Sequence, residues 1–112
     1  MNDRERTLSY LGLALRAGKL ESGDEGVMKA IRGRTALLVL VASDASDNAK
    51  KKYRDKCEFY GVPLSAAFDR QELGRSIGKA ERVVVAVTDK GLSELVRKSL
   101  ANHAEVELFE QG

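Results

Sequence analysis

The chain has 112 residues, 43% of them hydrophobic and 32% charged, which places it with single globular domains. That length excludes a core divided between two domains, so residues 1–112 are expected to fold as one. Lys and Arg number 19 against 17 Asp and Glu, and the resulting net charge of +2 is too small to diagnose a polyanionic partner. Three of the acids, Glu105, Glu107 and Glu110, stand in a final stretch without Lys or Arg, leaving residues 1–100 with 19 basic against 14 acidic groups. Lys50, Lys51, Lys52, Arg54 and Lys56 make the only dense basic run. Cys57 is the single cysteine, which excludes an internal disulfide. The opening residues Met1-Asn2-Asp3-Arg4-Glu5-Arg6 lack the apolar core of a signal peptide. The longest apolar run, Ala36 to Ala42, falls far short of the roughly 20 residues that span a bilayer. A cytoplasmic, reducing compartment without a membrane partner is the expectation.

Leu8, Leu11 and Leu15, with Ala14 among them, recur at helical spacing from about Thr7, and Gly18 supplies a stop. Ser22-Gly23-Asp24-Glu25 reads as a capping box, with the Ser22 hydroxyl meeting the Glu25 amide, and opens a second helix that runs to Gly33 and buries Val27, Ala30 and Ile31. Leu37 to Val41 is continuously apolar, the mark of a strand covered on both faces, and Val83 to Val87 repeats it. Between them, Ser46 or Asp47 caps a third helix through the basic run to Tyr60, with Gly61 as its stop. Val62 to Ala67 is predicted as a strand, its Pro63 tolerable near the start. Asp69-Arg70-Gln71-Glu72 repeats the capping-box logic for a short fourth helix with Leu73 and Ile77 inside, closed by Gly78. Asp89 caps a fifth helix, and Val106 to Phe109 alternates as a last edge strand. Strands alternating with helices predict an α/β fold, a three-layer α/β/α sandwich around a small mixed four-stranded sheet, mostly parallel.

Function has to come from sites, because this architecture serves many. Cys57 and His103 are too few and too far apart in the chain for a nucleophile–base pair to be read from them, and one Cys with one His cannot make a tetrahedral metal set. The acids at Asp24-Glu25 and Asp69/Glu72 occupy helix starts, where the macrodipole and capping account for them. No glycine-rich phosphate loop follows the first apolar strand; the turn is Ala42-Ser43-Asp44-Ala45-Ser46. The residues therefore predict no enzyme, no catalytic residue, no metal and no cofactor.

Three regions nevertheless suit an anionic, base-bearing partner. The second helix starts at Gly23, Asp24, Glu25 and Gly26 with open amides, and Lys29 lies one turn on. Spacing equally allows Lys29 to be half of a surface pair with Glu25. The loop Ser43 to Asp47, with Asp44, Ala45 and Ser46 at its centre, follows the carboxyl end of the apolar strand, where ligands of open α/β sheets bind, and leads into Lys50, Lys51 and Lys52. Ala66-Ala67-Phe68 puts an apolar stretch and one aromatic just before a helix start; Phe68 is equally readable as core, and the lysine run as a solvated face.

Gly23-Asp24-Glu25-Gly26-Val27-Met28-Lys29-Ala30-Ile31, then Leu38 to Ala45, Tyr60-Gly61-Val62-Pro63 and Glu72-Leu73-Gly74 give the sequence its family likeness. It resembles the kink-turn RNA-binding ribosomal protein superfamily, of L-seven-Ae and L-thirty-e type, and most of all its small bacterial YlxQ-type members. The resemblance implies an α/β/α sandwich that recognises a sharply bent RNA duplex with tandem sheared G·A pairs. Gly23, Asp24, Glu25, Gly26 and Lys29 would enter the widened groove, while Asp44, Ala45 and Ser46 with Ala66, Ala67 and Phe68 would cradle a flipped-out nucleotide. Where many members carry Asn-Glu to bond guanine edges, this chain has Glu25-Gly26, and Gly26 offers no side chain. The expectation is a monomeric, non-enzymatic protein that binds structured RNA, ribosomal RNA among the candidates, and not DNA. The rival expectation is a protein-interaction or assembly module on the same fold.

Overall fold

The computed structural model describes residues 1–109; residues 110–112, included in the single-domain expectation, lie outside the described residues. Five helices and four short strands follow in the order α1 (Asp3–Arg16), β1 (Leu20–Ser22), α2 (Asp24–Arg32), β2 (Leu38–Val41), α3 (Asp47–Tyr60), β3 (Leu64–Ser65), α4 (Arg70–Ser76), β4 (Val84–Val87) and α5 (Lys90–Ala101). α1 begins earlier than its apolar spacing implies, because the Asn2 side chain accepts a hydrogen bond from the Glu5 amide and caps a wholly polar first turn. Ser46, Asp69 and Asp89 cap α3, α4 and α5 as their residue types predict.

The sheet order is β1-β4-β2-β3, with β4 antiparallel to both β1 and β2 and only β2 and β3 parallel. The sheet is mixed, as expected, but not mostly parallel. β2 and β4 are apolar throughout because they are the two central strands, buried at every position. Such a run reports that both faces are covered and says nothing of strand direction. β1 escapes prediction, since three residues cannot establish an alternation, and the expected strand over Val62–Ala67 shrinks to Leu64–Ser65. The expected edge strand at Val106–Phe109 reduces to one antiparallel bridge between Leu64 and Glu107.

α2 and α3 pack together over one side of the sheet, while α1 packs on both α4 and α5. The core includes Leu11, Val27, Ile31, Leu38, Leu40, Tyr53, Phe68, Leu73, Val84 and Leu100, each no more than 1% exposed. Gly12 lets α1 approach α4 closely, because a Cβ there would stand 2.8 Å from the Ser76 carbonyl oxygen.

Candidate nucleic-acid interface

The register sets one end of the sheet as the meeting point of all the segments singled out from the sequence. Val41, at the end of β2, pairs with Val84 at the start of β4, and Ser22, at the end of β1, pairs with Val85. Gly23 donates its amide to the Val84 carbonyl at 3.0 Å, so the start of α2 is anchored at this end. The loop after β2 arrives beside it, with the Ala42 amide on the Val83 carbonyl at 2.7 Å and the Ser43 amide on the Phe68 carbonyl at 2.9 Å. Gly23–Lys29, Asp44–Ser46 and Ala66–Asp69 thus come together from stretches distant in sequence.

α2 begins differently from the sequence reading. Gly23, at φ +90°, is the N-cap, and it supplies no side-chain cap. That backbone conformation is open to glycine and strained for other residues. Ser22 is therefore one residue too early to close a capping box; its hydroxyl oxygen instead accepts a hydrogen bond from Arg82 Nε at 2.8 Å. The amides of the first turn, which the Ser22–Glu25 box would have used, lack a side-chain cap and keep the positive end of the helix open. Lys29 and Glu25 are both exposed and form no ion pair among the described residues, so the surface pair allowed by their spacing is not made.

Asp24 turns the other way. Its carboxylate accepts from Lys52 Nζ at 2.6 Å and from the Tyr53 hydroxyl, tying α2 to α3. The hydrogen bond from Lys52, and then that from Tyr53, hold its pKa below the ordinary aspartate range. Burial, reinforced by the Asp24 carboxylate, pushes the Tyr53 phenol well above its usual value, so it remains a donor. Lys51 pairs with Asp55 and Arg54 with Glu107, and of the first three lysines of the basic run Lys50 alone makes no ion pair among the described residues.

The two remaining loops are held by contacts that sequence reading missed. The Asp44 carboxylate accepts the Arg70 amide at 3.0 Å, which lowers its pKa and fixes the loop after β2 against the start of α4. Ala45 is buried beneath this loop, whereas Asp44 and Ser46 are exposed. Arg4 of α1 grips the Glu72 carboxylate with two nitrogens, at 2.6 and 2.8 Å, and donates to the Ala67 carbonyl at 3.0 Å. Its guanidinium also stands 4.7 Å from the centre of the Phe68 ring. Phe68 is 1% exposed and its ring centre lies 5.8 Å from that of His103, so its ring is core and presents no surface to a nucleotide; Ala66 and Ala67 remain accessible. The tight loop from Gly78 to Arg82 closes the rim. Gly74 permits it, since a Cβ there would lie 2.7 Å from backbone atoms of Ala80 and Glu81. Nothing local in Lys79-Ala80-Glu81-Arg82 announces this role, because it depends on where β4 inserts.

The enzyme candidates are placed elsewhere. Cys57 is fully buried, and burial pushes its thiol up to about 12, away from a reactive thiolate. His103 Nε2 bonds to Thr7 Oγ1 at 3.0 Å, and Thr7 to Ser99, joining α1 to α5 and the turn after it. No helix among the described residues is long and apolar enough to cross a membrane.

Residues 5–97 match the model of the family described as Ribosomal protein L7Ae/L30e/S12e/Gadd45. The RNA-binding protein YlxQ of Bacillus subtilis is 55% identical over 83 residues, covering 74% of this chain and 83% of that protein. The large ribosomal subunit protein eL8 of Thermoplasma volcanium is 28% identical across 90% of the chain and 84% of its own length. Among solved structures, a protein of unknown function from Bacillus halodurans C superposes with a TM-score of 0.81 at 45% identity, over 85% of this chain and 96% of that one. The Giardia lamblia 15.5kD RNA binding protein superposes with a TM-score of 0.74 over 89% of this chain and 86% of its own, and at 20% identity it speaks for the fold alone.

Proposed function

The chain belongs to the ribosomal protein L7Ae/L30e/S12e/Gadd45 family, and we propose that it is a non-enzymatic RNA-binding protein that recognises structured, kink-turn-like RNA at one end of its sheet. The observation that carries this reading is the start of α2 without a side-chain cap, set between two braced loops and next to Lys29, unpaired among the described residues. Its amides and the Lys29 ammonium suit phosphate oxygens or base acceptors. The accessible Ala66 and Ala67, beside the exposed Asp44 and Ser46, suit one unstacked nucleotide with apolar surface and polar edges. Loops held by hydrogen bonds favour recognition of a preformed bend over indiscriminate attraction, which the small net charge of +2 also disfavours. Ribosomal RNA is the structured partner we favour, with the protein acting as a monomer in the cytoplasm.

The test is a titration against a kink-turn duplex and against the same duplex with its tandem G·A pairs replaced by Watson–Crick pairs. Retention on the first and weak binding to the second is the expected result, and equal binding overturns kink-turn recognition. The protein-interaction reading has one observation in its favour. Glu21 and Glu25 are exposed beside the α2 start without ion-pair partners among the described residues, a surface that would suit a basic protein. Failure to bind either duplex would favour it.

A further inference from the structure

We propose that Glu21 is a specificity-determining residue of this interface, its carboxylate accepting the paired N–H donors of a guanine Watson–Crick edge. The proposal rests on the RNA-binding reading above. Glu21 is the middle residue of β1, where strand alternation sends Leu20 into the core and Glu21 outward. Strand pairing to Ala86 of β4 fixes its backbone. Its Oε2 lies 2.9 Å from where a Cβ on Gly26 would stand, and its own Cβ and Cδ lie 3.8 Å away. The carboxylate therefore sits over the first turn of α2, in space that a side chain at position 26 would occupy. It accepts no hydrogen bond and makes no ion pair among the described residues, and it lines an open groove of about 610 Å³ with Ser22, Glu25, Gly26, Lys29 and Thr35.

A carboxylate facing a polyanion weakens binding through repulsion unless it accepts hydrogen bonds from the ligand. RNA offers such donors on base edges and singly at ribose 2′-hydroxyls, whereas phosphate oxygens only accept, and two donors side by side occur only on a base edge. On the Watson–Crick edge of guanine, N1–H and N2–H stand side by side and match two carboxylate oxygens. Adenine, cytosine and uracil place an acceptor next to each donor there, which a carboxylate repels. Lys29, lining the same groove, supplies the cation that keeps an adjoining phosphate in place. Glycine at 26 thus has a consequence beyond a missing side chain, because it makes room for a carboxylate delivered from the neighbouring strand.

The experiment is a double-mutant cycle on the full chain, with the kink-turn duplex as probe, its guanines replaced one at a time by inosine to remove only the 2-amino group. At fixed salt, Glu21→Ala should weaken binding to the guanine duplex by about tenfold, and inosine at the guanine in contact should weaken wild-type binding comparably. The two losses should not add when combined. Gly26→Ala, whose Cβ displaces the carboxylate, should reproduce the loss, and thermal melts of both variants should match wild type. A uniform gain in affinity on Glu21→Ala, for every duplex, would make the carboxylate a mere repellent and overturn the proposal. Additive losses at every guanine overturn it equally. Wild-type protein that does not distinguish the kink-turn from its Watson–Crick control overturns the RNA reading and this assignment together, whereas wild-type discrimination with an inert Glu21 overturns the assignment alone.

Discussion

The starts of α2 and α4 lie at the same end of the sheet and meet opposite fates. At α4, Asp69 accepts from the Glu72 amide at 2.8 Å, Glu72 accepts from the Asp69 amide at 3.1 Å, and Arg4 closes over Glu72 from α1. The Glu72 charge there is matched by Arg4 within the protein. At α2 the N-cap is a glycine without a side chain, Asp24 is turned away to Lys52, and Glu21, Glu25 and Lys29 are unpaired among the described residues. One helix start is a brace and the other an open surface. Saturation of local hydrogen bonding, more than charge or residue type, separates the two.

That contrast can be broken at three depths. The largest effect is expected at Phe68, whose ring belongs to the brace: Phe68→Ala should cost about 3–5 kcal/mol of stability in urea unfolding. Near-native stability with lost RNA affinity would return Phe68 to the binding surface. Next, Asp69→Ala should lower stability by about 1 kcal/mol through loss of the α4 cap. Lys29→Ala should leave the melting temperature unchanged and raise the dissociation constant for the kink-turn duplex several-fold. A stability loss at Lys29, or an unchanged dissociation constant at fixed salt, would erase the distinction between brace and surface.

The smallest effect is a pH dependence. The Arg4 guanidinium, through its hydrogen bond, holds the Glu72 carboxyl below the usual glutamate range, and Lys52 does the same for Asp24. A carboxyl with a depressed folded-state pKa stabilises the fold above its unfolded value, about 4, and loses that contribution as pH falls through the folded value. Stability should therefore decline below about pH 4, and Glu72→Gln should remove part of that decline. Both carboxylates are partly exposed, so each contribution is about 1 kcal/mol or less. Urea midpoints at pH 3 and pH 6 give the measurement, and identical declines in wild type and variant would deny Arg4 its role.

Much of this architecture is legible in the sequence because the interactions concerned span four residues or fewer. The capping box at Asp69–Glu72, the Ser46 and Asp89 caps and the left-handed Gly61 stop of α3 all belong to that class. The Ser22 box fails for an equally local reason, since β1 extends through Ser22 and moves the cap to Gly23. Apolar runs at Leu38–Val41 and Val84–Val87 identify the central strands without their directions. Helix starts and strand-end loops likewise mark Gly23–Lys29 and Asp44–Ser46 as an open helix end and a neighbouring loop.

Position along the chain, local periodicity and capping chemistry therefore determined by themselves the five helices, the two buried strands and the family likeness. Tertiary structure alone decided that β4 inserts antiparallel between β1 and β2. It brings Arg82 to Ser22 across 60 positions, while Arg4 reaches Glu72 across 68 and the Arg70 amide meets Asp44 across 26. It also buries Phe68 and seats the Glu21 carboxylate over Gly26. Contacts of such separation depend on which apolar faces cover one another. Local pattern cannot encode that choice, because it is made only when the sheet closes.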